Sequence, residues 1–332
     1  MNEARVSSEN YIQFLIASPR VYSCVEAARV QPEGKRVVAH DAYTRLLQRL
    51  EPAAEQLWAE SQAYVQKRSG VLVLDDSTLD KPYARVIELV GYHWSGKHQR
   101  AVKGINLLSL VWSDGESHIP CDYRLYDKAN DALSKNDHFR AMLTTAHARG
   151  FAPEMVLFDS WYSGLVNLKQ IQRFGWHWLT QLKHNRLVNP DGTGLVAIST
   201  LPLPEDGLVV HLKGFGLIRL FKFVAINGSI EYWATNRLDL HPLARLRYSE
   251  NAWVIEAYHR GIKQFCGIQH ASARSARAQR NHIGFALRAF LRLEVHSLRS
   301  GRSWFDLKFD IIRSAVRAYL ATPSLALLPP TA

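Results

Sequence analysis

Residues 71–78 read VLVLDDST. Four apolar residues in a row, two of them β-branched, predict a strand covered on both faces that ends on Asp75-Asp76. The pattern returns at 155–162, MVLFDSWY, another short apolar run that stops on an acid, Asp159. GINLLSLVW (104–112) and HIPCDYRLYD (118–127) flank Ser113-Asp114-Gly115 and predict a hairpin. SKNDHFRAMLTTAHAR (134–149) has helical periodicity and is closed by Gly150; Leu165 to Phe174 is a shorter helix before Gly175. A strand, two antiparallel strands, a helix and a further strand beside the first describe a mixed α/β sheet flanked by helices. Carboxylates leave it from neighbouring strand ends.

Outward from this core, residues 1–68 read as a helical N-terminal region with Arg5, Arg20, Arg29, Lys35, Arg36 and Arg45. Asp41 is the expected N-cap of a helix over 40–50, and Pro52 starts a further helix to about Lys67. The region is either a small DNA-binding unit or a cap on the core, and it carries no helix-turn-helix signature. The core is expected in two parts, 69–175 and 248–302, separated by a β-rich insertion over 176–247. WHWLTQLK, LVVHLKGF, LIRLFKFVAI and IEYWAT are its strands, divided by Asn-Pro-Asp-Gly, Gly214 and Asn-Gly. RNHIGFALRAFLRLEVHSLRSG (280–301) is a helix apolar enough to pack on the sheet. A last helix at 304–321 and a loose tail complete the segment 303–332.

The helix between insertion and tail is WVIEAYHRGIKQFCG, 253–267. Ile255, Tyr258, Ile262 and Phe265 form an apolar stripe; Trp253, Glu256, Arg260 and Lys263 line the other side at the same spacing. That polar line serves either as a solvated face or as a surface that tracks a nucleic-acid strand. Charge favours the second. The chain has a formal net charge of +11, and Asn236 to Arg302 alone holds twelve Lys/Arg against four Asp/Glu, a net of +8. A focused basic field calls for a polyanion, most simply DNA or RNA.

Other classes are excluded by what the chain lacks. Its N-terminus is polar, no apolar run reaches membrane-span length, and its three cysteines are far apart in sequence. There is no HExxH, P-loop, GxGxxG after a strand, or GxSxG elbow. Three acids remain: Asp76, Asp159 and Glu256, 83 and 97 residues apart. If the fold unites them, they form an oxygen-rich site for a pair of hard divalent cations and phosphoryl displacement.

Three motifs give the chain a family resemblance over about residues 70–300. LDDST (74–78), LFDSWYSGLVNL (157–168) and WVIEAYHRGIKQFCGIQ (253–269) resemble the two aspartate strands and the glutamate helix of DDE transposases of the bacterial IS4/IS701 insertion-sequence type. RNHIGFALRAFLRLEV resembles the apolar helix that follows in these proteins. The resemblance implies an RNase H-like fold with a β-rich insertion between the second aspartate and the glutamate. It makes Asp76, Asp159 and Glu256 the metal-binding triad, with Asp75 competing for the first place because adjacent strand residues face opposite ways. It assigns phosphate contact to Lys263. Trp253 takes either a displaced DNA base or a place in the core; Lys183, Asn185 and Arg186 contact DNA or line a solvated face. The chain departs from the family where an arginine and a tyrosine usually precede the glutamate: Ala252 and Ser249 stand there, with Tyr248 and Arg247 out of register.

The expected function is a cut-and-paste DNA transposase using Mg2+, with Mn2+ able to substitute. It binds double-stranded DNA at its transposon ends and target, as a dimer on DNA, in the bacterial cytoplasm or nucleoid. A domesticated chain that binds DNA without cutting is one alternative. A carboxylate-pair hydrolase is another; it has no need of the basic segment.

Overall fold

The computed structural model describes residues 5–32, 38–95, 99–224, 228–251 and 253–323. Lys35, Arg36, Ala252, the Asn227 of the Asn-Gly turn and the tail from 324 onward lie outside them. The chain divides into two compact units, one formed by 53–260 and the other by 1–52 with 261–332.

The helices before the sheet are α1 (Ser8–Ala17), α2 (Cys24–Arg29), α3 (His40–Arg49) and α4 (Ala54–Ser61). Ala39, with no side-chain cap, occupies the N-cap of α3, and Asp41 sits inside its first turn. A carboxylate there still meets the positive end of the helix dipole, so the expected cap residue acts two positions later. Then come β1 (Val71–Asp80), β2 (Gly91–Ser95), β3 (Arg100–Ser113), β4 (Ile119–Tyr126), α5 (Lys135–Ala148), β5 (Met155–Phe158) and α6 (Leu165–Arg173). After β6 (Trp178–Leu182) follow β7 (Leu187–Asn189), β8 (Val196–Ala197), β9 (Leu208–Leu212), β10 (Gly216–Val224) and β11 (Ile230–Thr235). The last helices are α7 (Pro242–Asn251), α8 (Trp253–Phe265), α9 (Ala276–Ser300) and α10 (Trp304–Ala321).

In the larger unit β1 is the centre. It pairs antiparallel with β3 and parallel with β5; β3 pairs antiparallel with β4, and β5 pairs parallel with β6. The order β4-β3-β1-β5-β6 is that of an RNase H-like sheet. Val71 to Leu74, Ile105, Leu107 to Trp112 and Met155 to Phe158 are buried, as continuous apolar strands require. Gly70, at φ +69°, starts β1 where a Cβ would collide with the Ser113 carbonyl. Ser134 caps α5 in a reciprocal box with Asp137. The insertion strands extend the same sheet, since β11 pairs with β6 and the order runs on through β10, β9, β7 and β8. Because β6 lies parallel to β5, the first strand of the β-rich stretch is the fifth strand of the core.

In the other unit, α9 packs against α1, α3 and α10. His282 at its centre bonds the Tyr11 hydroxyl at 2.9 Å and the Gly267 carbonyl at 3.1 Å. Asn281 donates to the carbonyls of Leu47 and Leu50. Among the described residues no helix is long and apolar enough to cross a membrane.

Candidate active site

β1 runs past its two aspartates to Asp80, so Asp75 and Asp76 sit mid-strand instead of at its end. The parallel register ends at Leu74 opposite Phe158, which places Asp75 and Asp159 each one residue beyond the last pair on neighbouring strands. Adjacent strands lie about 5 Å apart, so the two acids share one end of the β1–β5 ladder. Asp159 is exposed and accepts the Trp161 amide, which caps the short turn after β5.

Glu256 lies on α8, whose neighbouring residues reach β1 and β3. Two residues on, the buried Tyr258 hydroxyl lies 3.3 Å from Ser109 Oγ, and Ser109 is the cross-strand partner of Asp75. His259, also buried, holds Nδ1 4.0 Å from Asp75 Oδ2. With Tyr258 and His259 turned toward the sheet, Glu256 stands on the exposed side of the helix.

The electrostatics of the two adjacent aspartates differ. Asp75 is held well above the usual carboxylate range, first by burial and then by the negative charges of Asp76, Asp159 and Glu256. Asp76 goes the other way. Burial pushes its carboxyl up, but the Lys135 ammonium and hydrogen bonds from Asn106, Lys135 and Tyr162 together hold it below its ordinary value. Lys135 Nζ and Asn106 Nδ2 each lie 2.7 Å from Oδ2, and the Tyr162 hydroxyl lies 2.5 Å from Oδ1. The charges of all three expected acids thus act on the competing Asp75.

Carboxylate oxygens are donors of the kind a hard divalent cation takes. Their spacing is open: among the described residues no three His, Cys, Asp or Glu side chains form a group that could hold an ion.

The remaining expected residues fall in three places. Lys183, Asn185 and Arg186 form the turn after β6, with the Arg186 amide bonding the Lys183 carbonyl at 2.9 Å. Since β6 is parallel to β5, this turn leaves the sheet at the end that carries Asp159. Lys183 and Asn185 are exposed, while Arg186 is half-buried and its pKa is lowered by that burial. Trp253 and Arg260 are exposed on α8; Trp253, at 71% exposure, is not a core residue. Lys263 belongs to the unit containing 261–332. The sequence reading missed Lys135, Asn106, Tyr162 and His259. Tyr162 lies within the quoted LFDSWYSG motif; Lys135 stands 59 residues from its partner, with no local signal.

Residues 1–200 match the family described as DDE superfamily endonuclease. The chain belongs to that family. The match of this DDE superfamily endonuclease spans Asp75, Asp76 and Asp159 and ends before Glu256. Among solved structures, the cryo-EM structure of the piggyBac transposase synaptic complex with hairpin DNA is similar, with a TM-score of 0.53 at 11% identity. The similarity covers 98% of this chain and 74% of that one, and at this identity it shows a shared fold. The Mos1 strand transfer complex is a remote match, with a TM-score of 0.20 and 12% identity over 54% of this chain and 58% of that one. No curated protein matches the sequence.

Proposed function

We propose that this DDE superfamily endonuclease is a cut-and-paste DNA transposase of the IS4/IS701 type, acting on the terminal inverted repeats of its own element. The observation that supports this reading is that Asp75 and Asp159 lie just past the last paired residues of β1 and β5, with the charges of Asp76, Asp159 and Glu256 all acting on Asp75. Asp76, Asp159 and Glu256 would be the residues to hold Mg2+, for which Mn2+ would substitute, and the chemistry such an ion would supply is Lewis-acid activation of water or a 3′-hydroxyl and offset of phosphate charge.

The chain's own residues supply the rest. Lys183, Asn185, Arg186, Arg260 and Lys263 take phosphate oxygens and fix the DNA in register. Trp253, exposed beside the glutamate, offers a stacking face to a displaced base. Two transposon ends require two copies, so the protein works as a dimer on DNA, in the bacterial cytoplasm or nucleoid.

The test is cleavage of DNA carrying the element's own ends. Nicking that needs Mg2+ or Mn2+ and stops with EDTA supports the reading. End binding without nicking under any divalent ion would identify a domesticated chain instead. Activity that survives EDTA would point to a hydrolase with a carboxylate pair.

A further inference from the structure

Residues 81–103 carry side chains that the candidate active site does not use. The stretch holds five Lys/Arg against one Glu, with two tyrosines and a tryptophan among them. Tyr83 is 93% exposed, and Tyr92 and Trp94 are each 69% exposed. A single exposed aromatic is ordinary on a protein surface, but three on one strand and the turn that leads to it are not.

The backbone explains why they stay uncovered. β1 leaves its pairing with β3 at Asp80 and Gly104, and among the described residues Arg100 to Lys103 pair with β2 alone. The result is a two-stranded ribbon whose faces differ. On one face His93 is buried, its ring centroid 6.2 Å from that of Tyr126 on β4, which pins the ribbon to the core. Tyr92 and Trp94 alternate with His93 and so share the other face. Ala101, opposite Trp94, is too small to cover the indole, and Lys103 stands opposite Tyr92. The Lys103 ammonium donates to the Ala84 carbonyl, which draws the turn carrying Tyr83 to that same face. Arg85 and Arg100 are exposed beside it.

We propose that the Tyr92–Trp94 face of this ribbon is a binding surface for single-stranded DNA, with the rings stacking on unpaired bases and the cations meeting the phosphates. Aromatic faces set among basic side chains match a strand whose bases are free to stack, because every base has a π-face and every link carries a charge. The inference rests on the reading of the chain as a DNA-processing enzyme and adds a contact away from its acids. That distance is set by β3. Ala101 precedes Asn106, the donor to Asp76, by about 17 Å at about 3.3 Å per residue. At about 3.4 Å per nucleotide, the platform meets a strand about five nucleotides from the acids.

The experiment is fluorescence anisotropy of the full chain with a fluorescein-labelled single strand of mixed sequence and with its blunt duplex, for wild type, Y92A, W94A and W94F. Y92A and W94A should each weaken single-strand binding by about tenfold, the scale of one lost base stack, and leave duplex binding within about twofold. W94F, which keeps a ring at the position and tests stacking should W94A not fold, should retain most of the affinity. Equal losses on single strand and duplex would make the ribbon a backbone contact and overturn the inference. So would single-strand affinity unchanged in both alanine variants. A wild-type dimer in light scattering that W94A dissociates, with single-strand affinity intact, would give the face to a second copy and overturn it as well. A wild-type chain that binds neither form of DNA would overturn the DNA-processing reading first, and this inference with it.

Discussion

The phenolic hydroxyl of Tyr162 donates to Oδ1 of Asp76 at 2.5 Å, across 86 residues of chain. The bond ties the turn after β5 to the middle of β1. Phenylalanine would keep the stacking on Phe139 and lose only the donor, so Y162F isolates the hydrogen bond. Single-turnover nicking should slow by about tenfold, the scale of one hydrogen bond to a charged group. The pH profile should move as well. Asp76 sits below its ordinary value because Lys135, Asn106 and Tyr162 outweigh its burial. A carboxylate of this kind contributes stability above its unfolded pKa and loses it as pH falls through the folded one. Removing a donor raises the folded pKa, so the acid limb of the profile should shift to higher pH in Y162F. An unmoved limb would separate the bond from catalysis.

The acids themselves should divide binding from cutting. D76N, D159N and E256Q should each lower nicking by about a thousandfold or more, as expected where a group acts in the transition state. End binding, measured by gel shift, should stay within a few-fold of wild type. Metal-dependent nicking retained by any of the three would remove that residue from the site.

Trp253 is open to solvent, and truncating it should cost little in folding. W253A should shift urea-denaturation stability by no more than about 0.5 kcal/mol. If the indole stacks on a base, the variant should lose about 1–3 kcal/mol in binding to ends with an unpaired nucleotide. Equal loss on fully paired ends would show a general contact instead. For the turn after β6, K183A should reduce the slope of log affinity against log salt by about 0.9, one phosphate contact's share. A parallel line with lower affinity would place Lys183 off the backbone.

What was legible in the sequence follows the range of the interaction responsible. Ser134 and Gly150 bound α5, and Ser303 bounds α10 at Trp304, because capping is settled within a few residues. The paired apolar runs marked β1 and β5 because both are buried on two faces. The continuation of β1 to Asp80 was not legible: Asp75 to Asp80 holds mostly polar residues and is kept extended by β3, about 30 residues away. Nor was the place of β6. Its alternation suits either an insertion strand or a core strand, and only parallel pairing with β5 decides. The three acids could be picked out by strand and helix position, but the pull of their charges on Asp75 is long-range. Asp75 and Asp76 differ in surroundings, one pressed by acids and one held by donors, and neither setting is written beside them in the chain.

Lys308 gives a test outside the site, in the unit that contains α9. It is 2% exposed, and its ammonium donates to the Phe265 carbonyl at 2.6 Å, the Tyr22 hydroxyl at 3.1 Å and the Leu15 carbonyl at 3.3 Å. Those bonds join α10 to α1 and to the end of α8. K308M would leave three buried acceptors without their donor, so it should destabilise this unit by about 2–4 kcal/mol in chemical denaturation. Burial lowers the Lys308 pKa to about 8, against an opposing pull from Cys266. Between about 8 and the ordinary lysine value of about 10.4, the unfolded chain therefore binds more protons at this position than the folded one. Stability contributed here rises with pH across that window, and the cost of burying the charge is full below it. The stability difference between wild type and K308M should accordingly widen as pH is raised from 8 to 10. A difference that stayed constant would mean that the three acceptors hold the ammonium charged throughout, and that hydrogen bonding outweighs desolvation at this lysine.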